Sequence, residues 1–105
     1  MNDDDLAKLI VDALRSVIDP ELGHNIVDLG LVYASTVADG ASRIVMTATT
    51  PGCPAIGFLK GAAANCASRV PGVRSVDIVM TFDPPWTPSM MAASAKASLG
   101  FANAH

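Results

Sequence analysis

The residue in this chain best placed to do chemistry is Cys53, within Thr49-Thr50-Pro51-Gly52-Cys53-Pro54. A thiolate is both a nucleophile and a metal ligand, and a thiol at the mouth of a helix has its pKa lowered by unsatisfied N–H groups and the dipole. Pro54 suits the first turn of a helix, so the spacing places Cys53 at that mouth and predicts a low-pKa thiolate. Gly52 clears one side of the sulfur, and Pro51 and Pro54 stiffen the loop that presents it. The alternative is a small apolar side chain buried at a helix start, since free cysteine favours the interior.

Around Cys53 stand residues that could assist it. Asp19, Glu21 and Asp28 provide carboxylates able to act as general bases or hard metal ligands, although Asp19 could equally cap its turn and Asp28 brace Leu29-Gly30. His24 is either a ligand or proton shuttle, or a solvated loop histidine. The hydroxyls of Thr47, Thr49 and Thr50 could bond a thiolate or an oxyanion, Thr50 being favoured by position, yet threonine is also an ordinary strand residue. Cys66 shares an apolar stripe with Leu59, Ala63 and Val70 and reads as packing. Trp86 reads as an anchor for a stiff connector, and Met90 with Met91 as core filling.

The elements that position these residues follow from the hydrophobic period. Leu6, Leu9, Ile10, Ala13, Leu14 and Val17 recur at helical spacing from Asp5 to Val17, with Asp3 to Asp5 as acidic caps and Pro20 as the stop. Leu31 to Ala38 and Ser42 to Thr49 read as strands of an antiparallel hairpin around Asp39-Gly40-Ala41. A second helix runs from Pro54, carrying Ile56, Leu59, Ala63, Cys66 and Val70, to Pro71-Gly72. Val73 to Asp83 alternates as a third strand, with Val76, Ile78, Met80 and Phe82 on one face. After Asp83-Pro84-Pro85-Trp86, Thr87 and Pro88 read as the cap and first turn of a third helix through Leu99, closed by Gly100. The order α-β-β-α-β-α predicts a two-layer α/β domain with helices on one face of a small three-stranded mixed sheet.

Composition narrows the function. The 105 residues are about one domain's worth, half of them apolar and 16% charged, enough to fold without metal or disulfide staples. A net charge of -3, a pI near 5.0 and seven scattered Lys and Arg argue against nucleic-acid binding. No apolar run approaches the length of a membrane span, and the acidic start Met1-Asn2-Asp3-Asp4-Asp5 is unlike a signal peptide, so a cytoplasmic location is expected. Two cysteines make neither a disulfide framework nor a four-ligand metal site, and 13 positions on one helix would hold them far apart. Any metal chemistry must borrow ligands.

Four stretches taken together resemble the PaaD-like and SufT-like metal-sulfur cluster assembly family: Asp19-Pro20-Glu21-Leu22, Asn25 to Tyr33, Met46-Thr47 through Cys53-Pro54, and Pro84-Pro85-Trp86-Thr87-Pro88 with Leu99-Gly100. The resemblance implies an iron-sulfur cluster assembly-type α/β domain in which Cys53 serves the maturation of iron-sulfur proteins, with Asp19 and Glu21 lining the same region. The chain has neither a phosphate-binding Gly-rich Lys loop nor a cysteine-rich tail, which points to the stand-alone form rather than the carrier ATPase or oxygenase-accessory branches. The site set so implied is Cys53, Thr50, Asp19 and Glu21 for cluster binding or client contact, with Gly52, Pro54 and Asp28 supporting the loop.

The expected activity is that of a non-enzymatic assembly factor, its thiolate a transient cluster ligand shared with assembly machinery, a client apoprotein or a second copy in a homodimer, with no tightly held cofactor. Two other readings remain open. One is a thiol enzyme with Cys53 as nucleophile and His24 or a carboxylate as base, for which His24 and the terminal His105 are poor provision. The other is an adaptor for an oxygenase-type multicomponent system, contacting partners through Trp86 and neighbouring apolar residues.

Overall fold

A computed structural model describes residues 2 to 100, which form, in order, α1 (Asp3–Leu14), β1 (Val32–Ala38), β2 (Ala41–Met46), α2 (Ile56–Ser68), β3 (Ser75–Met80), a 3-10 turn at Pro88–Met90 and α3 (Ala93–Leu99). The sheet order is β1-β2-β3, antiparallel between β1 and β2 and parallel between β2 and β3. This is the expected small mixed sheet, with β2 at its centre. The hairpin turns on Asp39 and Gly40, whose φ angles of 51° and 81° are the left-handed values a two-residue turn between twisted strands requires. The parallel step from β2 to β3 is long because it carries α2.

Both long helices cover the same side: α1 packs on β1, α2 on β3, and the two helices touch. Leu6, Ile10 and Leu14 of α1 meet Ile44 and Met46 of β2 and Leu59, Ala63 and Ala67 of α2 in a core completed by Ile26, Leu29 and Leu31. The buried stripe of α2 steps by four residues, so Cys66 lies at its edge, half-buried, rather than at its centre. Of the two methionines expected inside, Met91 is buried while Met90 is exposed, its sulfur accepting from the Tyr33 hydroxyl.

Several element ends differ from the sequence reading. The N-cap of α1 is Asn2, whose side-chain oxygen accepts from Asp5 N–H at 2.8 Å, and Asp3 to Asp5 occupy the first turn instead. That helix ends at Leu14, well before Pro20, because Ser16 draws both its N–H and its hydroxyl onto the Ala13 carbonyl and tightens the chain. Pro54 precedes α2, which begins at Ile56. Strand β2 stops at Met46, where Thr47 N–H turns to the Leu31 carbonyl, and β3 is confined to Ser75–Met80. Thr87 and Pro88 start only the 3-10 turn; α3 begins at Ala93, after Ala92 N–H bonds the Asp28 carbonyl and bends the chain. Gly100 closes α3 in the left-handed region, as expected.

Candidate functional site

Two loops at the ends of α1 and β2 build the site. In the first, Ile18 and Asn25 form an isolated antiparallel bridge, Asp19 N–H donates to the His24 carbonyl at 2.9 Å, and Gly23 N–H donates to the Asp19 carbonyl at 2.7 Å. The Asp19 carboxylate folds over this small closed loop: its Oδ1 accepts from Glu21 N–H at 2.7 Å and Leu22 N–H at 3.1 Å. Those bonds fix the backbone from which the exposed Glu21 projects.

The second loop leaves the sheet after Met46. Thr47 and Ala48 are buried, the chain surfaces through Thr50, Pro51 and Gly52, and Cys53 N–H returns to the Thr50 carbonyl at 3.2 Å. That turn sends the sulfur inward, leaving Cys53 only 6% exposed. Its Sγ–H donates to Glu21 Oε1 at 2.6 Å, joining the loops.

The pairing reverses the expected electrostatics. The Glu21 carboxylate, by accepting the thiol hydrogen, and burial both push the Cys53 pKa above the ordinary 9.0, and the negative charges of Glu21 and Asp19 add to this. The Ala55 backbone N–H does act in the lowering direction, the helix-start effect the sequence suggested, and is outweighed. Cys53 is therefore a protonated thiol at neutral pH in the free chain. The expectation of a low-pKa thiolate was blind to a carboxylate arriving from 32 residues upstream.

Asp19, Glu21 and Cys53 are thus brought together, while the other expected residues take different places. Thr50 is exposed and contributes its carbonyl to the turn, and Thr47 donates its hydroxyl to the Ala48 carbonyl, so the thiol's partner is a carboxylate rather than a hydroxyl. Gly52 and Pro54 flank Cys53 on the exposed side. Asp28 is a brace: it accepts from Asn25 Nδ2 at 3.0 Å and Arg15 at 2.5 Å, and the Asn25 bond first, then Arg15, holds its pKa below the usual 3.8 against partial burial. His24 Nε2 stands 3.8 Å from Asp28 Oδ2 and belongs to that brace. The parts played by Arg15 and Asn25 were not foreseen; an Asn-x-x-Asp spacing with a helix-end arginine was their only trace. Trp86 anchors the connector, its Nε1–H donating to the Leu29 carbonyl at 2.7 Å. His105 lies outside the described residues.

One buried polar atom is unexplained by the loop itself. Asp19 is 1% exposed, and its Oδ2 has no hydrogen-bond partner among the described residues. Among those residues, no three His, Cys, Asp or Glu side chains form a group ready to hold a metal ion. No described helix is long and apolar enough to cross a membrane.

The chain is similar to known proteins over most of its length. Residues 8–79 match the family model described as iron-sulfur cluster assembly protein. The chain is 44% identical over 93 residues to an Fe-S protein maturation auxiliary factor of Porphyromonas gingivalis, covering 88% of this chain and 89% of that one. It is 40% identical over 85 residues to the Fe-S protein maturation auxiliary factor SufT of Staphylococcus aureus, covering 80% of this chain and 97% of the relative. An iron-sulfur cluster carrier protein of Synechocystis matches at 30% identity over 77% of this chain but only 23% of its own length. A crystal structure from Bacillus anthracis, titled a domain of unknown function DUF59, superposes with a TM-score of 0.91 at 36% identity, covering 93% and 94% of the two chains.

Proposed function

Because the chain belongs to the iron-sulfur cluster assembly protein family, we propose that it acts in the maturation of iron-sulfur proteins through Cys53, which supplies one ligand to the iron-sulfur cargo or one contact to the client. The observation that carries this reading is the sulfur's position: a protonated thiol, at the end of a short exposed turn, held by a carboxylate that is itself exposed and able to let go. One thiolate cannot hold a cluster alone, so the assembly machinery, a client apoprotein or a second copy of the chain completes the coordination. The chain works without catalytic turnover, and its relatives are named as maturation factors and carriers. Its two free thiols fit a reducing cytoplasm.

The thiol-enzyme reading finds little support in the geometry. His24 is engaged with Asp28, and Glu21, which accepts the thiol hydrogen, keeps the thiol protonated rather than activating it. The adaptor reading loses its anchor, since Trp86 is half-buried and bonded to Leu29.

Anaerobic reconstitution with iron and sulfide, read as metal and sulfide content together with molecular mass, tests the proposal. Wild type should take up iron and sulfide in an assembly larger than one chain, and Cys53→Ser should not. A wild-type chain that remains colourless and monomeric, beside a Cys53→Ser chain that still supports client maturation, would defeat it.

A further inference from the structure

The sheet has two open edges, and they differ. β3 carries the exposed Asp77, 3.3 Å from Arg43 of β2, and a charge on an edge strand deters another strand from pairing with it. β1 carries neither a charge nor a proline over its seven residues. Its bulge is confined to the Val32–Ala34 end, which leaves Ser35 to Ala38 regular. Ala38 and Ala41 close the two-residue turn as a hydrogen-bonded pair. By alternation Thr36 and Ala34 also turn their backbone groups to β2, and those of Ser35 and Val37 point to the open edge. Among the described residues no strand pairs with that edge.

A groove of about 560 Å3 runs between β1 and α1. Ser35 Oγ donates to the Ala7 carbonyl at 3.2 Å, which sets the following turn of α1 against the middle of β1. Ala7, Val11, Val27 and Val32 line the groove half-buried, and Lys8 and Asp12, four residues apart on α1, stand exposed on it. Lys8 has no ion pair among the described residues, and Asp12 has a 3.7 Å contact to Arg15, whose guanidinium is committed to Asp28. These two charges of opposite sign decide the occupant. A two-fold axis normal to the sheet reverses every direction in its plane, so a second copy docked edge to edge runs its α1 antiparallel to the first. Lys8 of each copy then stands opposite Asp12 of the other. A bare extended peptide would use the strand edge and leave both charges unanswered.

We propose that the chain forms a homodimer through β1, with Ser35 of one copy opposite Ser35 of the other, so that two three-stranded sheets join into one of six strands. Each Ser35 N–H donates to the other copy's Ser35 carbonyl. Ala34 and Thr36, exposed on the face that the helices leave bare, lie across from their counterparts with small side chains that let the strands approach. Val32 pairs with Met46, after which the Cys53 loop departs, so antiparallel pairing of β1 sets the two sulfurs at opposite ends of the joined sheet. Under the maturation role, the ligands that Cys53 lacks then come from the assembly machinery or the client, not from the other copy in this pair.

Sedimentation equilibrium of the metal-free full chain over a concentration series tests the pairing. Wild type should weigh twice the 10.8 kDa of one chain, and Cys53→Ser should do the same, so the pairing is read separately from the maturation role. Lys8→Glu and Asp12→Lys, each of which sets like charges opposite one another, should raise the dissociation constant about 10- to 100-fold. Mixing those two variants makes every facing pair opposite in sign again and should restore the wild-type constant, as should the double variant Lys8→Glu/Asp12→Lys. Ala34→Lys/Thr36→Lys, which keeps the backbone bonds to β2, should be monomeric because lysines oppose each other across the edge. Circular dichroism melts confirm that each variant is folded. A monomeric wild type would overturn the proposal and leave the edge to an extended peptide. A dimer that survives Ala34→Lys/Thr36→Lys, or charge variants that do not pair on mixing, would overturn it as well.

Discussion

Cys53 Sγ and Glu21 Oε1, 32 residues apart in sequence, share a hydrogen across 2.6 Å and so tie the loop after β2 to the loop after α1. This contact makes the free chain's thiol a weak acid. In a Cys66→Ser background, alkylation of Cys53 by iodoacetamide should follow a midpoint above 9.0, the ordinary thiol value. Glu21→Gln should move that midpoint down, and a thiol made about tenfold more acidic reacts roughly three- to fourfold faster near neutral pH, because the gain in thiolate is partly offset by its lower nucleophilicity. A midpoint that is already low in wild type, or that ignores the substitution, contradicts the pairing.

Asp19 separates scaffold from charge. Asp19→Ala leaves the Glu21 and Leu22 N–H groups without their acceptor and should cost about 1–3 kcal/mol in denaturant unfolding. Asp19→Asn keeps an acceptor oxygen while removing the charge, so it should be much milder for stability and should lower the Cys53 midpoint. Equal destabilisation by the two would show that the charge, not the loop bonding, is what the fold needs.

Asp28 predicts an acid limb. Its folded-state pKa lies below 3.8, so the unfolded chain binds the proton more tightly. The stability it provides is present above 3.8 and disappears as pH falls through the depressed folded value. The slope of stability against pH below 3.8 should therefore flatten in Asp28→Asn, and in part in Asn25→Ala, whose bond is the largest cause. An unaltered acid limb in both variants would count against this brace.

Gly30 should be intolerant. Its φ is 79°, and a Cβ there would strike the Met90 backbone, including its carbonyl carbon at 2.9 Å. Gly30→Ala should lose on the order of 1–3 kcal/mol and loosen the connector that Trp86 pins to Leu29. Protease sensitivity should rise near Trp86; normal stability and protection would show that the segment can shift aside.

Much of this was legible in the sequence, for identifiable reasons. Period gave the helices and strands, Asp39-Gly40 gave the hairpin, and Gly100 the end of α3, because each is decided by neighbours in the chain. Helix ends were less legible. Ser16 stops α1 by bonding backward to Ala13, a local competition that the more conspicuous Pro20 obscured. At the site, Cys53, Glu21 and Asp19 could be named but the direction of the thiol's pKa could not. That direction depends on a long-range hydrogen bond and on burial, neither of which is written in the residues around Cys53. Thr50 was favoured by adjacency alone, and adjacency placed its carbonyl, not its hydroxyl, in the turn.

The central claim is that Cys53 carries the maturation role. It is tested most directly by replacing the gene with Cys53→Ser or Cys66→Ser alleles, at matched protein levels, and measuring the activity and iron content of an iron-sulfur client enzyme. The account predicts that Cys53→Ser lowers both to the level of the deletion strain, while Cys66→Ser, which loses only a contact at the edge of the α2 stripe, matches wild type. Full client activity and iron content in the Cys53→Ser strain would contradict it.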